Sequence, residues 1–342
     1  MTTPSIVAKA ALGCFLSLSG VALGQATIKI DGSSTVYPIS AAAAEEFRNV
    51  MPKVNVTVGE SGTGGGFKRF VKGETDISDA SRPITAKEMG ECQANGVEFL
   101  ELPIAFDALT VVVNKSNAWL TEITIADLKK MWEPDAQGKI TTWNQIRPEW
   151  PNEPVKLYGP GSASGTFDYF TEAVSGKSKA SRGDYTASED DNVLVQGVSK
   201  DKGALGYFGL SYYASNTDKL KAVAVVNKAG KAILPSEASV KDATYNPFSR
   251  PIFIYVNKKS LERAEVKKFV EFYLTHAADL VNEVKYVPLP SEAYQKNLER
   301  LNKLQTGTAF GGHNQVGLHI DELFTRPLVS EAPGGARPAE KK

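Results

Sequence analysis

Short apolar strands alternate with helical stretches along most of this chain, and this alternation constrains the fold more than any other feature. Segments 26–30 and 53–59 alternate polar and apolar residues as strands do, and a helix-like stretch at 39–50 separates them. Segments 109–115 and 253–258 are continuous apolar runs, which are typical of buried strands. The alternation predicts an α/β protein whose strands pair mainly in parallel. Further elements are predicted as helices at 65–74, 124–133, 166–176 and 261–284 and a short strand at 75–81.

Two of the buried strands end in the same Val-Asn-Lys sequence, once in 110–117 and once in 252–260. The chain could cross to a second lobe at the first of these strands and return at the other, which would leave a cleft between two lobes. The first lobe would then consist of residues 26–110 and 257–330, and the second of residues 111–256. Two similar buried strands within one domain are the alternative.

The N-terminus has the layout of a secretory signal peptide over residues 1–25. A single early cation, Lys9, precedes an apolar run that ends in small residues before Gln25. The run is short for a membrane span, which needs about 20 apolar residues. Lipid attachment at Cys14 is a weaker alternative. At the other end, residues 331–342 are rich in Pro, Gly and charge, and we expect a disordered tail there.

Charge and cysteine content exclude several classes of protein. Lys and Arg together number 39, as do Asp and Glu, so no basic excess points to nucleic acid or to an anionic membrane surface. Removal of the signal peptide leaves Cys92 as the one cysteine, and an internal disulfide is then impossible. We expect Cys92 to be a small buried apolar residue rather than a reactive thiol.

Three loops combine hydroxyl groups with glycine or proline directly before a helix. The first loop is residues 31–38, DGSSTVYP; the second is 59–66, GESGTGGG; the third is 159–166, GPGSASGT. One such loop is explained by helix capping. Three of the same design favour a small oxyanion held by several helix N-termini, because these present unpaired N–H groups and glycine allows close approach.

The glycines fit none of the usual nucleotide or nucleophile motifs. The second loop has Phe67 where a dinucleotide fingerprint needs its last glycine, and no Gly-Lys has the P-loop frame. The third loop has Ala163 where a nucleophile elbow needs serine. His276, His313 and His319 have no zinc-site spacing. We therefore expect no catalytic residues, no metal and no cofactor.

A positive charge for an anion is available in segment 76–85, DISDASRPIT, where Ser81 and Arg82 follow a short strand. Arginine presents a planar fork of donors that suits tetrahedral oxyanions. A solvated surface arginine is the alternative for Arg82. Asp76 and Asp79 flank the pair and could hold Arg82 or cap the backbone.

Taken together and in this order, the motifs resemble the periplasmic phosphate-binding proteins of ABC importers, the PstS type. The resemblance runs over nearly the whole chain after the signal peptide, and it includes GALGYFGLSYY at 203–213. It implies a two-lobed type II periplasmic-binding-protein fold with a double-crossover hinge and phosphate in the interlobe cleft. For 203–213, a buried packed strand is the simpler interpretation, and Tyr207 lining the cleft is the functional one.

The resemblance also implies which residues bind phosphate. The candidates lie in the three loops and in the segment after the short strand: Ser34, Thr35, Thr63, Gly64, Gly65, Ser81, Arg82, Ser164, Gly165 and Thr166. The best-known members of the family carry an aspartate at the position of Ser81 and an arginine near Pro160 or Gly161. Without that aspartate, another acceptor such as Asp79 would have to reject sulfate, or rejection would be weaker.

The expected function is high-affinity binding of inorganic phosphate in the periplasm and delivery to an ABC permease in the inner membrane. We expect a monomer that does not bind nucleic acid and is not an enzyme. A receptor for sulfate, arsenate or molybdate is the alternative within the class. A phosphoester hydrolase that uses one of the loop hydroxyls is the alternative outside it.

Overall fold

The computed structural model describes residues 26–162, 164–188, 190–313, 315 and 318–333. The predicted signal peptide with Cys14, residue Ala163, and the part of the predicted tail from 334 onward lie outside the described residues. The strands are β1 Ala26–Gly32, β2 Val54–Gly59, β3 Ile77–Ala80, β4 Phe99–Asn114, β5 Glu122–Ile123, β6 Lys156–Gly159, β7 Thr186–Ala187, β8 Ala204–Gly209, β9 Leu220–Ala222, β10 Ala224–Val226, β11 Ala232–Ile233, β12 Ser249–Asn257 and β13 Val287–Pro288. The helices are α1 Tyr37–Val50, α2 Thr63–Phe70, α3 Ala86–Ala94, α4 Ile125–Trp132, α5 Gly165–Ser175, α6 Asp191–Lys200, α7 Leu210–Ala214, α8 Glu237–Lys241, α9 Ala264–Glu283, α10 Ser291–Asn302 and α11 Ile320–Thr325.

The predicted alternation of strands and helices is confirmed, but in the main sheet the prediction of mainly parallel pairing holds only for the outer strands. The main sheet has the order β2-β1-β3-β12-β4-β8-β6-β7. β1 pairs in parallel with β2 and β3, and β6 pairs in parallel with β7 and β8. β12 and β4 run antiparallel to their neighbours. The two central strands therefore reverse direction relative to the strands on either side.

The long strand β4 passes through both halves of the sheet. Its first part pairs with β12 from Phe99 to Ala108, and its second part pairs with β8 from Leu109 to Val113. Every residue of β4 is buried. Because one continuous strand belongs to both halves, it is a first connection between two lobes.

The return connection lies just before β12. The carbonyl of Phe248 accepts a hydrogen bond from the amide of Leu109 at 3.1 Å, and β12 begins at Ser249. β12 then pairs with β3, deep in the first lobe. The contact at Phe248 and the start of β12 at Ser249 thus lie earlier in the chain than the predicted lobe boundary at 256/257. The division into lobes stays a prediction.

The helices that carry the site form for local reasons. Pro38 lies in the first turn of α1, where its missing N–H costs nothing. Ile39, Ala43 and Phe47 follow at helical spacing and bury one face, on which the Phe47 ring meets that of Phe269 in α9. Burial of each large apolar side chain stabilises the fold by roughly 1.5–3 kcal/mol. The start of α1 is therefore fixed beside the end of β1.

Among the described residues, the helices are all too short or too polar to cross a membrane.

Candidate functional site

The first loop makes its own local hydrogen bonds through Ser33. The buried Oγ of Ser33 accepts from the amide of Thr35 at 3.2 Å, and its carbonyl accepts from the amides of Val36 and Tyr37. No side chain caps α1 at its N-cap residue, Val36. Ser33 therefore has the structural role, and half-buried Ser34 lies beside it, directly before the uncapped helix start.

The second loop is anchored to the end of β1 by a buried carboxylate. Asp31 accepts from the amide of Ser61 at 3.2 Å and from its hydroxyl at 2.9 Å, and it pairs with Arg69 at 3.0 Å. Gly62 has a φ of 78°, which a residue with a side chain rarely adopts, and it begins α2 without a side-chain cap. The N–H groups in the first turn of α2, at Thr63, Gly64 and Gly65, are thus exposed at an uncapped helix start.

The first two loops touch directly through glycine. A Cβ placed on Gly66 would lie 2.6 Å from the Cα of Gly32 and 2.7 Å from the carbonyl oxygen of Asp31. Only glycine allows the backbones to approach so closely. We call this contact, together with the hydrogen bonds from Ser61 to Asp31, the inner junction. It lies entirely within the first lobe.

Ser81, directly after β3, joins the second loop. The hydroxyls of Thr63 and Ser81 lie 3.0 Å apart, and the amide of Ser81 donates to Thr63 Oγ1 at 3.1 Å. The structure therefore brings together two candidate residues that are 18 positions apart in the sequence. A bound anion could accept hydrogen bonds from both hydroxyls, because each can rotate its proton toward it.

The third loop approaches the first loop from the other lobe. Ser164 is the N-cap of α5, and its Oγ accepts from the amide of Thr166 at 3.2 Å. A Cβ placed on Gly165 would lie 2.4 Å from the Oγ1 of Thr35 and 2.9 Å from the Oγ of Ser34. We call this contact between the lobes the cleft junction. It places Ser34, Thr35 and the start of α5 side by side.

Arg82 lies next to Ser81, but its charge is already matched. Its guanidinium donates to both carboxylate oxygens of Glu88, at 2.8 and 2.9 Å, and rests over the ring of Phe67. Burial opposes the charge on Arg82, yet the hydrogen bonds and the charge of Glu88 outweigh it and raise the pKa of Arg82. Burial likewise opposes ionisation of Glu88, and hydrogen bonds from Arg82 and Thr85 hold its pKa below the usual value. The pair is therefore fully ionised and close to neutral as a unit.

Asp79, considered as a substitute acceptor, is fully buried beneath the first loop. Its Oδ1 accepts from the hydroxyl of Ser40 at 3.0 Å, and that hydroxyl lies 3.1 Å from the hydroxyl of Tyr273. Its backbone carbonyl accepts from the amide of Ser33 at 2.9 Å. Burial raises the pKa of Asp79 to about 8, so the group is mostly protonated at neutral pH. Asp79 therefore supports the first loop from below.

A second arginine, which sequence reasoning missed, faces the same cleft. Arg250 is the second residue of β12, stacks over the ring of Tyr169 at 3.6 Å, and lies 3.4 Å from Asp107 and 3.7 Å from Glu172. The tripeptide Ser-Arg-Pro occurs at 81–83 and again at 249–251, and both copies line one cavity of about 600 Å³. That repeat is the signal in the sequence that could have revealed Arg250.

Two further residues have structural roles. Tyr207 is fully buried and stacks on Phe170 with ring centroids 3.7 Å apart, so the packing interpretation of this strand is confirmed. Cys92 is buried in the core, and burial raises the pKa of its thiol to about 12. A thiol with so high a pKa is unreactive at neutral pH, as predicted for a small buried apolar residue.

The arrangement is suited to binding and orienting an anion with N–H and hydroxyl donors. Where the structure is described, no cluster of three or more His, Cys, Asp or Glu side chains could hold a metal ion. The donors come from three helix starts and from the end of β3. An anion between them would bridge the two lobes.

Comparison with known proteins shows the family to which the chain belongs. A family model described as the PBP superfamily domain matches residues 19–276. Protein SphX of Synechococcus elongatus is 54% identical over 300 residues, which cover 88% of either chain. Phosphate-binding protein PstS of Staphylococcus saprophyticus is 38% identical over 82% of this chain and 86% of its own. The crystal structure of a possible phosphate-binding protein from Planctomyces limnophilus superposes with a TM-score of 0.78 at 48% identity, covering 82% of this chain and 99% of that one.

The chain therefore belongs to the PBP superfamily, and within it to the group of PstS-type phosphate-binding proteins. The predicted fold class, a two-lobed type II periplasmic-binding-protein fold, is confirmed.

Proposed function

We propose that this protein is a receptor that binds inorganic phosphate with high affinity in the interlobe cleft and delivers it to an ABC-type importer. Its relatives of the PstS type are named as phosphate-binding proteins, and the arrangement of donors in this chain suits the same ligand. We also propose that it acts in the periplasm as a monomer and without catalysis, after a signal peptide at residues 1–25 has been removed.

The observation that carries the proposal is the cleft junction. Gly165 at the start of α5 lies against Ser34 and Thr35 at the start of α1, although the two helices belong to different lobes. Two helix N-termini that meet across a cleft concentrate positive dipole ends and unpaired N–H groups at one point. A small anion at that point would be held by both lobes and would favour their closed arrangement.

The proposed binding residues fall into two groups. One group surrounds the cleft junction and consists of Ser34, Thr35, Ser164, Gly165 and Thr166. The other group surrounds the start of α2 and consists of Thr63, Gly64, Gly65 and Ser81. Arg82 lies beside Ser81, where its ion pair with Glu88 keeps the local charge balanced. Phosphate would then be bound mainly by oriented hydrogen bonds rather than by an excess of cations. Such hydrogen bonds are strongest where the site is buried and free of bulk water.

Calorimetric titration of protein freed of bound phosphate by unfolding and refolding tests the proposal. We expect phosphate to bind at least a thousandfold more tightly than about 1 mM. Ser164→Ala should weaken binding about tenfold, which corresponds to about 1.4 kcal/mol. Ser162→Ala is the matched control, because Ser162 is an exposed hydroxyl of the same loop, and it should leave affinity unchanged. An affinity no tighter than millimolar would overturn the proposal.

Ser164 also caps α5, so its substitution can lower stability by about 0.5–2 kcal/mol. Thermal unfolding of both variants separates this effect from binding. A loss of affinity with an unchanged melting temperature would assign the effect to the ligand. Turnover of a chromogenic phosphate ester that Ser164→Ala abolishes would instead favour the hydrolase.

Selectivity among oxyanions depends on the acceptors at the site. Asp79 is buried and bonded to Ser40, so the serine and threonine hydroxyls are the acceptors available for the proton of a phosphate. We expect arsenate, which is also protonated at neutral pH, to compete with phosphate. Sulfate, which is fully ionised, should compete more weakly. Equal competition by sulfate would support the alternative of a general oxyanion receptor.

A further inference from the structure

The interlobe cleft contains much more space than a phosphate ion needs. A cavity of about 600 Å³ begins at Ser81 and Arg82 and extends along the hinge. Pro247 and Ser249–Pro251 line it along the hinge, and residues of α4 and α5 line it from the second lobe. Cavities of about 300–1,000 Å³ are the size that proteins use for small organic ligands.

The cavity does not result from an open arrangement in which the two lobes stand apart. At the cleft junction, Gly165 is already in contact with Thr35 and Ser34. The two lobes therefore touch at the phosphate end of the cleft while the cavity beside it stays open. Further closure about the hinge is limited by that contact, because a packed interface does not compress.

The charges around the cavity are largely balanced. Arg82 is paired with Glu88 at 2.8 Å, and Arg250 lies 3.4 Å from Asp107 and 3.7 Å from Glu172. Two of the three cations that line the cavity are thus already matched by carboxylates, and the third, Lys228, is exposed at the mouth. A second phosphate or carboxylate group on the ligand would find little uncompensated positive charge there.

Most of the remaining wall is apolar. It is formed by residues of both lobes and of the hinge: Ile125, Ala173, Val226, Pro247, Pro251 and Phe310. Two of the polar side chains of the lining make hydrogen bonds within the protein: the hydroxyl of Ser249 donates to the carbonyl of Tyr245 at 2.7 Å, and the amide nitrogen of Asn227 donates to the carbonyl of Thr244 at 3.1 Å. A small apolar group would gain from contact with these surfaces, because it would leave water.

We propose that the cleft also accepts organic phosphoryl compounds that carry one small apolar substituent, as phosphonates and phosphate monoesters do. The phosphoryl group would bind at the three loops, and the substituent would extend past Ser81 and Arg82 into the cavity. This inference rests on the proposed phosphate site. It adds a class of ligand that a site closed around inorganic phosphate would reject.

Titration with phenylphosphonate, which has no hydrolysable ester bond, tests the proposal alongside titration with inorganic phosphate. The wild-type protein should bind both, and each should displace the other. Ala126→Trp places a large ring at the cavity mouth, where Ala126 is exposed, so the fold should tolerate it. The variant should bind phosphate as before and phenylphosphonate at least tenfold more weakly. Lys129→Trp, on an exposed position of α4 outside the cavity, is the control and should change neither affinity.

The outcomes separate the two proposals. If phosphate binds and phenylphosphonate does not bind at millimolar concentration, the wider ligand class is wrong and the phosphate receptor stands. If phenylphosphonate binds but Ala126→Trp leaves its affinity unchanged, it occupies another site and the inference is again wrong. If neither compound binds, the proposed function fails and this inference fails with it.

Discussion

The inner junction and the cleft junction are both made by a glycine that touches another loop, but they differ in what they touch. At the inner junction, Gly66 meets the backbone of Gly32 within one lobe. At the cleft junction, Gly165 meets the backbone nitrogen and the side chain of Thr35, and the side chain of Ser34, across two lobes. The first contact is part of the folded lobe itself, whereas the second forms when the lobes approach. This difference predicts that folding builds one half of the proposed site and that closure of the lobes completes the site.

Substitution of Asp79 should have the largest effect on stability. Asp79 lies beneath the first loop, in the same lobe as the inner junction, and supports that loop with a protonated carboxyl group. Its pKa is 3.8 when unperturbed and about 8 in the folded protein. Between these values the folded state holds a proton that the unfolded chain releases, so the free energy of unfolding should fall as pH rises from about 4 to about 8. Asp79→Asn removes this dependence, and the difference should reach a few kcal/mol near pH 8.

Urea unfolding of the wild type and of Asp79→Asn at pH 5 and pH 8 measures this effect. We expect the variant to gain stability relative to the wild type as the pH is raised. Equal pH dependence in the two proteins would show that Asp79 is ionised in the folded state. The variant should still bind phosphate, because Asp79 lies beneath the loop.

Gly66→Ala should disrupt the inner junction and destabilise the first lobe. The added methyl group meets backbone atoms at 2.6 and 2.7 Å, which cannot be relieved by a rotating side chain. We expect a loss of about 1–3 kcal/mol, the usual cost of overpacking. Thermal unfolding measures it. Gly90→Ala is the control, because its methyl would contact only Ala332 at 3.8 Å in a helix that favours alanine.

Gly165→Ala should break the cleft junction alone. The methyl group would lie 2.4 Å from Thr35 Oγ1, so the lobes could not approach fully, yet neither lobe needs that contact to fold. We expect phosphate affinity to fall about tenfold or more and stability to stay within about 0.5 kcal/mol of the wild type. A destabilised protein with unchanged affinity would contradict the distinction between the two junctions.

Thr63→Val should have the smallest effect, because it removes a single hydroxyl and keeps the branched shape. It breaks the hydrogen bonds to Ser81 and removes one donor from the site. A neutral hydrogen bond contributes about 0.5–1.5 kcal/mol, so affinity should fall roughly two- to tenfold in titration. Unchanged affinity would place phosphate away from the second loop.

Sequence reasoning predicted the elements and loops that depend on local pattern. The alternation in β1 and β2 and the glycine and hydroxyl content of the three loops are visible within a few residues. The pairing of Arg82 with Glu88 was also within reach, since Thr85 and Glu88 form a capping box that fixes Glu88 near the start of α3.

The remaining features depend on contacts between distant residues. Arg250 faces Asp107 from 143 positions away, and nothing near it in the sequence marks it as a cleft residue except the repeated tripeptide. The lobe to which β12 belongs follows from its pairing with β3, which local apolar pattern cannot reveal. The contact of Gly165 with Thr35 likewise depends on how the two lobes are placed.

The most direct test of a site shared by two lobes is a crystal structure of the protein with phosphate. We expect one phosphate in contact with Ser34 or Thr35 at the start of α1, with Thr63 at the start of α2, and with Ser164 or Thr166 at the start of α5. Phosphate bound to one lobe alone, or at a place that none of the three loops reaches, would contradict it.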